Sequence, residues 1–398
     1  MASAGKILII VQNLPLPFDR RVWLEANTLR DAGYHVSIIS PKGQHGKYQD
    51  SYELLDGIHL YRYPAPIEAE GTIGFFIEFA YCWLMTAFLS VKVLFQQGFD
   101  VIHACNPPET YFALSWIYRL LGKKFLFDHH DLSPEMYAAK GGNTSGILYK
   151  GLLWFERLTF KSADVVITTN ESHKEIAMRR GGLPSEKVFI VRTGPDFERL
   201  VEQPADESLK DNRDYLVTYL GEMCVQDGVD YVLHSAKMLR EEMGRDDVKF
   251  VLMGGGPDLA RLRSLNQEMG LESFVEFKGR VSDLDLCRYL SNSDVCLDPD
   301  PFTEWSNQST MNKIMEYMAF GKPVVAFDLK ENMFSAKDAA VYASSNDVKE
   351  FTQLLDNMLN DPEQRKTMGE YGLKRVQSEL AWDYSKPFLL AAYATLFK

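Results

Sequence analysis

The chain has 398 residues, and 46% of them are hydrophobic, which is enough apolar material for two cores. Its formal net charge is −12, and nearly all of the acidic excess lies after residue 195. This balance disfavours nucleic-acid binding, which needs a basic surface. The five cysteines form no close pair, so we expect a reducing compartment and no structural zinc. The first residues enter a strand without the pattern of a cleavable leader, and we expect a cytoplasmic protein.

Strand and helix patterns alternate through the first half. Buried strands are predicted at 6–12 and 35–40, with a helix at 18–32 between them. The elements expected next are strand 101–105, helix 109–121, strand 124–128, an amphipathic helix at 147–162, and strands 165–169 and 188–192. This alternation predicts a doubly wound, Rossmann-like α/β domain over residues 1–195.

A polar, charged stretch at 194–214 suits an interdomain connection. A second alternating series follows: strands 215–220, 249–255, 274–279, 294–298 and 323–327, with helices 229–241, 258–269, 283–292 and 309–320. We predict a second Rossmann-like domain over 196–375 and a C-terminal helix at 376–398 that returns to the first domain. Such sheets bind ligands at the carboxyl ends of their strands, and we expect the ligand in a cleft between the two halves.

The stretch from Ser309 to Asp328 combines a helix start, a carboxylate and a strand. Ser309 and Thr310 are favourable cap residues, and the turn they open directs backbone N–H groups at an anion such as a diphosphate. Lys313 can offset phosphate charge, and Glu316 can accept hydrogen bonds from a ribose diol. The alternative is a surface helix with an ordinary cap and one ion pair.

This stretch resembles glycosyltransferase family 4, retaining enzymes with the GT-B fold. The family signature is two glutamates separated by seven residues, followed by an Ala-x-Gly-x-Pro-Val-Val strand, and Glu316 matches the second glutamate. The resemblance implies two Rossmann-like domains facing across a cleft, a nucleotide-sugar donor, and Glu316 on the nucleoside ribose. We assign the helix start to the donor as well: Ser309, Thr310, Met311 and Asn312.

Two positions depart from the family pattern. Gln308 stands at the first glutamate, which implies a different donor sugar or a different group balancing charge at the anomeric centre; Glu304 is a candidate substitute. The stretch 221–228 is acidic where many members carry Arg and Lys for phosphate. The expected phosphate ligands are then Lys313, Arg280 and the helix N-terminus.

The loop before the first helix carries Asp19, Arg20 and Arg21. Arginines in a first helical turn oppose the helix dipole, and such a local cost often indicates a functional contact. The resemblance also implies a ligand loop here, so we predict an acceptor or phosphate loop. Solvated arginines without a ligand are the alternative.

The stretch 124–135 ends a buried strand with two histidines and an aspartate. His130 and Asp131 match a His-Asp pair of the family. A neutral imidazole near pH 7 can both donate and accept hydrogen bonds, which suits contact with a sugar hydroxyl, and a paired carboxylate fixes the tautomer. The alternative is two loop histidines with Asp131 as a cap. No third ligand at metal spacing is apparent, so no metal is expected there.

Two further turns resemble family loops. The glycine-rich turn 253–258 lies between a strand and a helix, and Gly255 could approach a nucleotide closely; a tight turn without a ligand is the alternative. The turn 277–281 resembles the loop along the nucleobase, and Arg280 could reach the diphosphate. Asp298-Pro299-Asp300 forms the Asp-x-Asp pattern of manganese-dependent transferases, but a helix terminus offers a metal-free alternative, so we expect no metal.

Two segments of the first half suit a membrane surface. Gly74 to Phe95 is strongly apolar, but only thirteen uncharged residues separate Glu78 from Lys92, so we expect no membrane crossing. A helix buried against the sheet is the first interpretation. Ile147 to Lys161 mixes basic and aromatic residues at helical spacing, which suits an anionic interface and indicates peripheral contact through the first domain.

Together with the resemblance, these patterns predict a retaining hexosyl or N-acetylhexosaminyl transferase. The donor would be a nucleotide sugar, UDP-linked, and the acceptor a hydroxyl of a lipid-linked or cell-envelope glycan, without a metal or other cofactor. The residues assigned to catalysis are His130, Asp131, Lys313 and Gln308. The alternatives are a nucleotide-sugar epimerase or hydrolase on the same fold, and a non-catalytic sugar-nucleotide-binding protein.

Overall fold

The structure, a computed structural model, describes residues 4–43, 47–65 and 71–397. The chain divides into two compact α/β units: residues 1–138, 142–193 and 384–398 form the first, and residues 139–141 and 194–383 form the second. In this division the C-terminal return to the first unit begins at 384, eight residues later than the sequence placed it.

An eight-stranded sheet with the order β3-β4-β2-β1-β5-β6-β7-β8 forms the first unit. Its strands are β1 (Lys6–Ile10), β2 (His35–Pro41), β3 (Tyr52–Leu55), β4 (Ile58–Tyr63), β5 (Val101–Cys105), β6 (Lys124–His129), β7 (Val165–Thr168) and β8 (Val188–Ile190). Only β3 and β4 pair antiparallel in this sheet. The parallel sheet confirms the α/β prediction, and the β3–β4 hairpin is an addition to it.

Helices connect these strands, and one core cluster joins four of them to the sheet. The helices are α1 (Arg20–Asp31), α2 (Gly71–Gln96), α3 (Phe112–Arg119), α4 (Ser133–Ala139), α5 (Ile147–Ser162) and α6 (Glu171–Gly181). The core cluster combines Leu8 and Ile10 of β1 with Val93 of α2, Tyr118 of α3 and Phe160 of α5. Because alternate strand residues point to opposite faces, α2, α3 and α5 pack on the same face of the sheet.

The second unit is built on a six-stranded parallel sheet with the order β11-β10-β9-β12-β13-β14. Its strands are β9 (Tyr215–Leu220), β10 (Val248–Met253), β11 (Val275–Gly279), β12 (Val295–Asp298), β13 (Val324–Phe327) and β14 (Ala340–Ala343). The helices that follow are α7 (Val229–Glu241), α8 (Leu259–Glu268), α9 (Asp283–Asn292), α10 (Glu304–Gln308), α11 (Asn312–Ala319), α12 (Lys330–Ala336), α13 (Val348–Asn360), α14 (Pro362–Arg375) and α15 (Trp382–Leu396).

Both faces of the second sheet are covered, as its continuous apolar strands require. Val217 and Tyr219 of β9 belong to one core cluster, whereas Leu216, which precedes Val217 and points to the opposite face, belongs to another. The strand order reverses at β9, with β10 on one side and β12 on the other. Ligands of doubly wound sheets bind at the carboxyl ends of the strands at such a switch point, and most donor-side candidates lie there.

Among the described residues, one stretch is long and apolar enough to cross a membrane. Ile77–Gln96 of α2 has a mean hydropathy of 1.5 over its most apolar window, of which 28% is buried. The sequence predicted that this segment is too short to cross a membrane because Glu78 and Lys92 interrupt it. By length and composition that prediction was wrong, because the mean hydropathy stays high despite these two charges. The expectation of a largely buried helix was also wrong.

Candidate active site

The turns that follow β9, β10 and β11 are bonded to one another at the edge of the second sheet. The amide of Gly221 donates to the carbonyl of Met253 at 3.0 Å, and the amide of Gly254 donates to the carbonyl of Gly279 at 2.8 Å. The amide of Met223 donates to the carbonyl of Gly255 at 3.0 Å. These bonds hold the glycine-rich turn against the two neighbouring turns.

The three glycines of that turn have different surroundings. A Cβ on Gly254 would lie 1.7 Å from the carbonyl oxygen of Gly221, and a Cβ on Gly256 would lie 2.5 Å from that of Met223. Glycine is required at both positions by backbone packing, which is the structural interpretation of the motif. Gly255 differs, because its nearest neighbour would be the flexible side chain of Arg280, 3.1 Å away at Cγ. Gly255 and the exposed Arg280 thus form the ligand-accessible part of the turn.

The helix that carries the glutamate motif begins later than the sequence predicted. α11 starts at Asn312 with Met311 as N-cap and without a side-chain cap. Ser309 instead ends α10, and its hydroxyl donates to the carbonyl of Trp305 at 2.7 Å. The cap role predicted for Ser309 and Thr310 was therefore wrong. The short helix α10 intervenes, so the unpaired amides at the start of α11 belong to residues after Met311.

Lys313 lies in a buried acidic cluster beside the switch point. Its ammonium is 3.2 Å from Oδ1 of Asp298, contacts Oδ2 of Asp300, and lies 5.0 Å from the ring centroid of Tyr219. Asn332 donates to the other oxygen of Asp298 at 2.5 Å. The sequence assigned Lys313 to the diphosphate and gave Asp298 and Asp300 no role. In the structure these two carboxylates, both fully buried, hold the ammonium.

Burial and mutual repulsion shift the protonation of this cluster. Burial and the neighbouring Asp298 raise the pKa of Asp300 well above its usual range. Burial raises the pKa of Asp227 to about 6, with Lys313 opposing the shift. Burial lowers the pKa of Lys313, but Asp300, Tyr219 and Asp298 together raise it well above its ordinary value, so the ammonium stays charged. The cluster is an ammonium enclosed by buried acidic side chains, of which Asp300 and Asp227 have raised pKa values.

Glu316 forms an ion pair with Arg199, a residue that the sequence did not single out. Arg199, from the segment after β8, contacts Oε1 of Glu316 through Nη2 and Oδ1 of Asp283 at 3.1 Å through Nη1. The Glu316 side chain is partly exposed. Arg199 thereby joins α11 to the start of α9 through two charge-assisted contacts.

Gln308, at the position of the family's first glutamate, is the last residue of α10. Its amide nitrogen donates to the backbone carbonyl of Glu304 at 2.9 Å and lies 3.4 Å from the Glu304 carboxylate. The candidate substitute is therefore a neighbour of Gln308, one helical turn earlier.

In the first unit, Arg21 is buried, which contradicts the prediction of an open ligand loop at that position. Its guanidinium bonds to both oxygens of Asp128, at 2.9 and 2.7 Å, and to the carbonyl of Val191 at 2.8 Å. Asp19 caps α1 by accepting from the amide of Val22. Arg20 is exposed and stays the candidate of this loop.

His130 pairs with Asp128, two residues earlier on the chain. Its Nδ1 lies 2.9 Å from Oδ2 of Asp128, whereas Asp131 contributes a more distant charge. Burial lowers the pKa of His130, but Asp128 outweighs this and raises the pKa to about 9. The expected neutral imidazole is thus an imidazolium at neutral pH, which has no tautomer to fix, and its carboxylate partner is Asp128 and not the expected Asp131.

Asn106 positions the backbone around His130. Its side-chain oxygen accepts from the amides of His130 at 2.9 Å and Asp131 at 3.1 Å, and its amide nitrogen donates to the carbonyl of Asp131 at 2.6 Å. Asn106 follows β5, whose neighbour is β6. The ends of two adjacent strands therefore fix this loop.

Further buried polar side chains lie next to Asp128. His103 lies 2.7 Å from the hydroxyl of Tyr393 and 3.6 Å from Glu25, and burial lowers its pKa. Burial raises the pKa of Glu25 to about 8. His103, Cys105 and Asp128 place possible ligand atoms within 4.8 Å of one another, but the guanidinium of Arg21 already neutralises Asp128. A cation does not fit beside that guanidinium.

The sequence contained signals for three of the residues that it missed, namely Asp128, Asp298 and Asp300. Asp128 and His130 are separated by two positions at the end of a strand, where side chains point to the same side. Asp298 and Asp300 end a buried strand at the switch point, and two carboxylates there need a cation. Arg199 gave no comparable signal, because it lies in a polar connection with many charges.

Two family models match the chain. Residues 19–199 match the model described as Glycosyltransferase Family 4, and residues 214–361 match the one described as Glycosyl transferases group 1. Among curated proteins, an MMP alpha-(1->4)-mannosyltransferase of Mycolicibacterium hassiacum is 26% identical over 42% of this chain and 39% of its own length. The amylovoran biosynthesis glycosyltransferase AmsK of Erwinia amylovora is 27% identical over 39% of this chain and 36% of its own length. The chain thus spans less than half the length of these relatives.

Solved structures resemble the whole chain. A sucrose-phosphate synthase from Thermosynechococcus elongatus superposes with a TM-score of 0.80 at 18% identity, covering 99% of each chain. Anabaena Alr3699/HepE in complex with UDP-glucose gives 0.72 at 15% identity, covering 98% of this chain and 99% of that one. These likenesses establish the fold.

The two parallel α/β units and these likenesses define the GT-B fold, and the two family models define a glycosyltransferase. Within that class, residues 19–199 match the family 4 model, which makes this a family-4-type glycosyltransferase.

Proposed function

We propose that this protein transfers a sugar from a nucleotide-diphosphate donor to an acceptor hydroxyl with retention at the anomeric carbon. The observation that carries the proposal is the edge of the second sheet. There the glycine-rich turn, the exposed Arg280 and the start of α11 lie at the switch point of a doubly wound sheet. UDP is the proposed nucleotide, supported by the UDP-glucose complex of Anabaena HepE.

On the donor side, we assign Glu316 to the ribose hydroxyls. A carboxylate accepts two hydrogen bonds from a vicinal diol, and the contact with Arg199 orients the Glu316 carboxylate. Arg280 and the first amides of α11, from Asn312 onward, are assigned to the diphosphate. Their role is electrostatic: they stabilise charge that develops on the leaving group.

In this proposal Lys313 is no longer the main phosphate contact that the sequence predicted. Its charge is compensated by Asp298 and Asp300, so it contributes less to the diphosphate than a solvated lysine would. We propose that Lys313 organises the buried acidic cluster next to Gly221. A Cβ built on Gly221 would lie 3.4 Å from Cε of Lys313.

His130 is assigned to a hydroxyl of the transferred sugar. As an imidazolium it donates its Nε2 proton and does not accept, because Nδ1 is used by Asp128. Asp131 and Gln308 complete the proposed catalytic group, and Arg20 is the proposed acceptor contact.

Activity is proposed to be independent of a metal ion. Asp298 and Asp300 form the Asp-x-Asp pattern, but an ammonium already lies between them, which supports a charge-compensated cluster over a cation site. The proposed acceptor is a lipid-linked or cell-envelope glycan, and the proposed location is the cytoplasmic face of a membrane.

The test is an assay of nucleotide release from a panel of nucleotide sugars, with and without extracts of lipid-linked glycan. The expected result is acceptor-dependent UDP release that persists in excess EDTA, with retention seen by NMR of the product. Product formation without an acceptor would instead support the epimerase or hydrolase. Donor binding without turnover would support the non-catalytic sugar-nucleotide-binding protein. Loss of activity in EDTA with rescue by manganese would move Asp298 and Asp300 into a metal site.

A further inference from the structure

We propose that the outer surface of α2, α3 and α5, here called the three-helix face, docks flat on an anionic lipid bilayer. The inference deepens the proposed function by naming the surface that meets the membrane, and it rests on that function only for the lipid-linked acceptor.

α2 exposes an apolar stripe along its length. The large apolar residues on its outer side are Ile77, Leu84, Phe88, Val91 and Phe95. Their spacings of three, four and seven residues place them on one side of a helix. Phe95 is 84% exposed. Such a stripe is costly in water and favours an apolar partner.

α3 extends the stripe, although the sequence analysis gave it no such role. Trp116, Ile117, Leu120 and Leu121 are exposed at and beyond its end, and Leu120 is 86% exposed. The helix lies between the other two: its Tyr118 hydroxyl is 2.9 Å from Ser90 of α2, and its Trp116 donates to Ser162 of α5 at 2.9 Å. The three helices therefore form one continuous surface.

α5 supplies a basic edge. Its outer side carries Ile147, Lys150, Trp154, Arg157 and Lys161, again at spacings of three and four residues. Ile147 is 91% exposed, and Trp154 is more than half exposed. Lysine and arginine beside an indole are the residues that favour the headgroup region of an anionic membrane.

The inner sides of the same helices explain why the segment lies flat and does not span. Cys82, Leu89 and Val93 of α2 belong to the core cluster of the sheet, together with residues of α3 and α5. Withdrawing α2 to cross a bilayer would expose that core. The outer stripe and the basic edge instead match an interface, with apolar groups among the acyl chains and charges at the headgroups.

The charge pattern selects a bilayer over a second copy of the chain. The exposed Lys92 adds to the basic edge of α5, whereas Arg119 is ion-paired with Asp164 at 3.1 Å; the only acidic residue of α2 is Glu78. Two copies of such a surface would bring the lysines and Arg157 against like charges, whereas anionic headgroups attract them.

The test is flotation of the full chain with vesicles of phosphatidylcholine alone and with phosphatidylglycerol added. We expect binding only with the anionic lipid, weakened by salt. Lys150→Gln with Lys161→Gln should lower the partition coefficient roughly fivefold for each charge removed. Phe95→Gln with Leu120→Gln should lower it by about tenfold or more, because both side chains enter the apolar region.

Matched controls lie in the second unit. Leu284→Gln and Lys366→Gln change exposed residues of the same types outside the three-helix face and should leave flotation unchanged. The proposal would be overturned if the Lys150/Lys161 and Phe95/Leu120 double variants, here called the patch variants, bound vesicles as well as the wild type does. It would also be overturned if the wild type did not float with vesicles. Dimerisation that the patch variants abolish would assign the face to a second copy instead.

The same variants separate this proposal from the proposed transferase activity. Donor binding and transfer to a soluble acceptor should be unchanged by the patch substitutions, and only transfer to a vesicle-embedded acceptor should fall. If no transfer occurs with any acceptor but flotation behaves as expected, the transferase proposal fails and the docking surface stands.

Discussion

Nδ1 of His130 lies 2.9 Å from Oδ2 of Asp128, and the same carboxylate accepts two hydrogen bonds from the guanidinium of Arg21. The carboxylate is fully buried, and although burial opposes ionisation, Arg21 and His130 hold its pKa well below the usual range. Arg21 thus fixes Asp128 as an anion, and Asp128 fixes His130 as a cation. Two buried charges, Arg21 and Asp128, thus position His130, the proposed sugar contact. Neither Arg21 nor Asp128 is itself assigned to a ligand.

The first prediction concerns this positioning. Asp128→Asn should return the pKa of His130 from about 9 towards the ordinary value near 6.5, because the main stabilising charge is removed. An NMR titration of the histidine ring measures it without any activity assay. Asp131→Asn is the control and should move the pKa much less. An unchanged His130 pKa in Asp128→Asn would contradict the pairing.

The second prediction is the pH dependence of stability. The folded pKa of His130, about 9, lies above its ordinary value of 6.5, so its stabilisation is complete below 6.5 and is lost as pH rises through 9. Glu25, with a pKa raised to about 8, acts in the same direction. Denaturant unfolding should show a free energy of unfolding that falls between roughly pH 6.5 and pH 9. Stability that rises over this interval would be inconsistent with a charged His130.

Most of the fold could be predicted from the sequence. Continuous apolar runs such as the one at 124–128 form parallel strands that are buried on both faces, and a run of this kind leaves few alternatives. The β3–β4 hairpin was missed because its edge strand alternates between exposed and partly buried residues and has no strong apolar pattern. The site elements at strand ends followed from the sheet order, once two doubly wound halves were expected.

The partners inside the site could not be predicted in the same way. Arg21 was expected at a ligand loop because a first-turn arginine opposes the dipole, but Asp128, 107 residues away, compensates it. Ser309 and Thr310 have the composition of caps, yet the short helix α10 uses Ser309 at its end. Both errors have one cause: local preferences were overridden by contacts that sequence spacing does not reveal.

The third prediction concerns the ammonium of Lys313. Lys313→Met should destabilise the second unit by about 3 kcal/mol or more, because buried Asp298 and Asp300 lose their compensating charge. Adding Asp300→Asn should recover part of the loss, since one of the two carboxylates is then removed. Chemical denaturation of the single and double variants measures the coupling. Additive effects would show that the ion pair contributes little.

The fourth prediction tests the donor assignment of Glu316. Glu316→Ala should weaken UDP binding by roughly 1.5–3 kcal/mol, as expected for a hydrogen bond to a charged group. Arg199→Ala should weaken it less, and the double variant should resemble Glu316→Ala because Arg199 acts through the carboxylate. Isothermal titration calorimetry with UDP is the measurement. Unchanged affinity in Glu316→Ala would remove the carboxylate from the ribose site.

The fifth prediction separates packing from ligand contact within the glycine-rich turn. Gly254 has a φ of +149° and no room beside the Gly221 carbonyl, so Gly254→Ala should destabilise the second unit by about 2–3 kcal/mol or more. Gly255→Ala meets only the flexible Arg280 side chain and should leave the melting temperature nearly unchanged. If Arg280 and this turn bind the diphosphate, Gly255→Ala should still weaken UDP binding, by displacing the guanidinium. Thermal melts and UDP titrations of the two variants provide the comparison, and full UDP affinity in Gly255→Ala would leave the turn with its packing role alone.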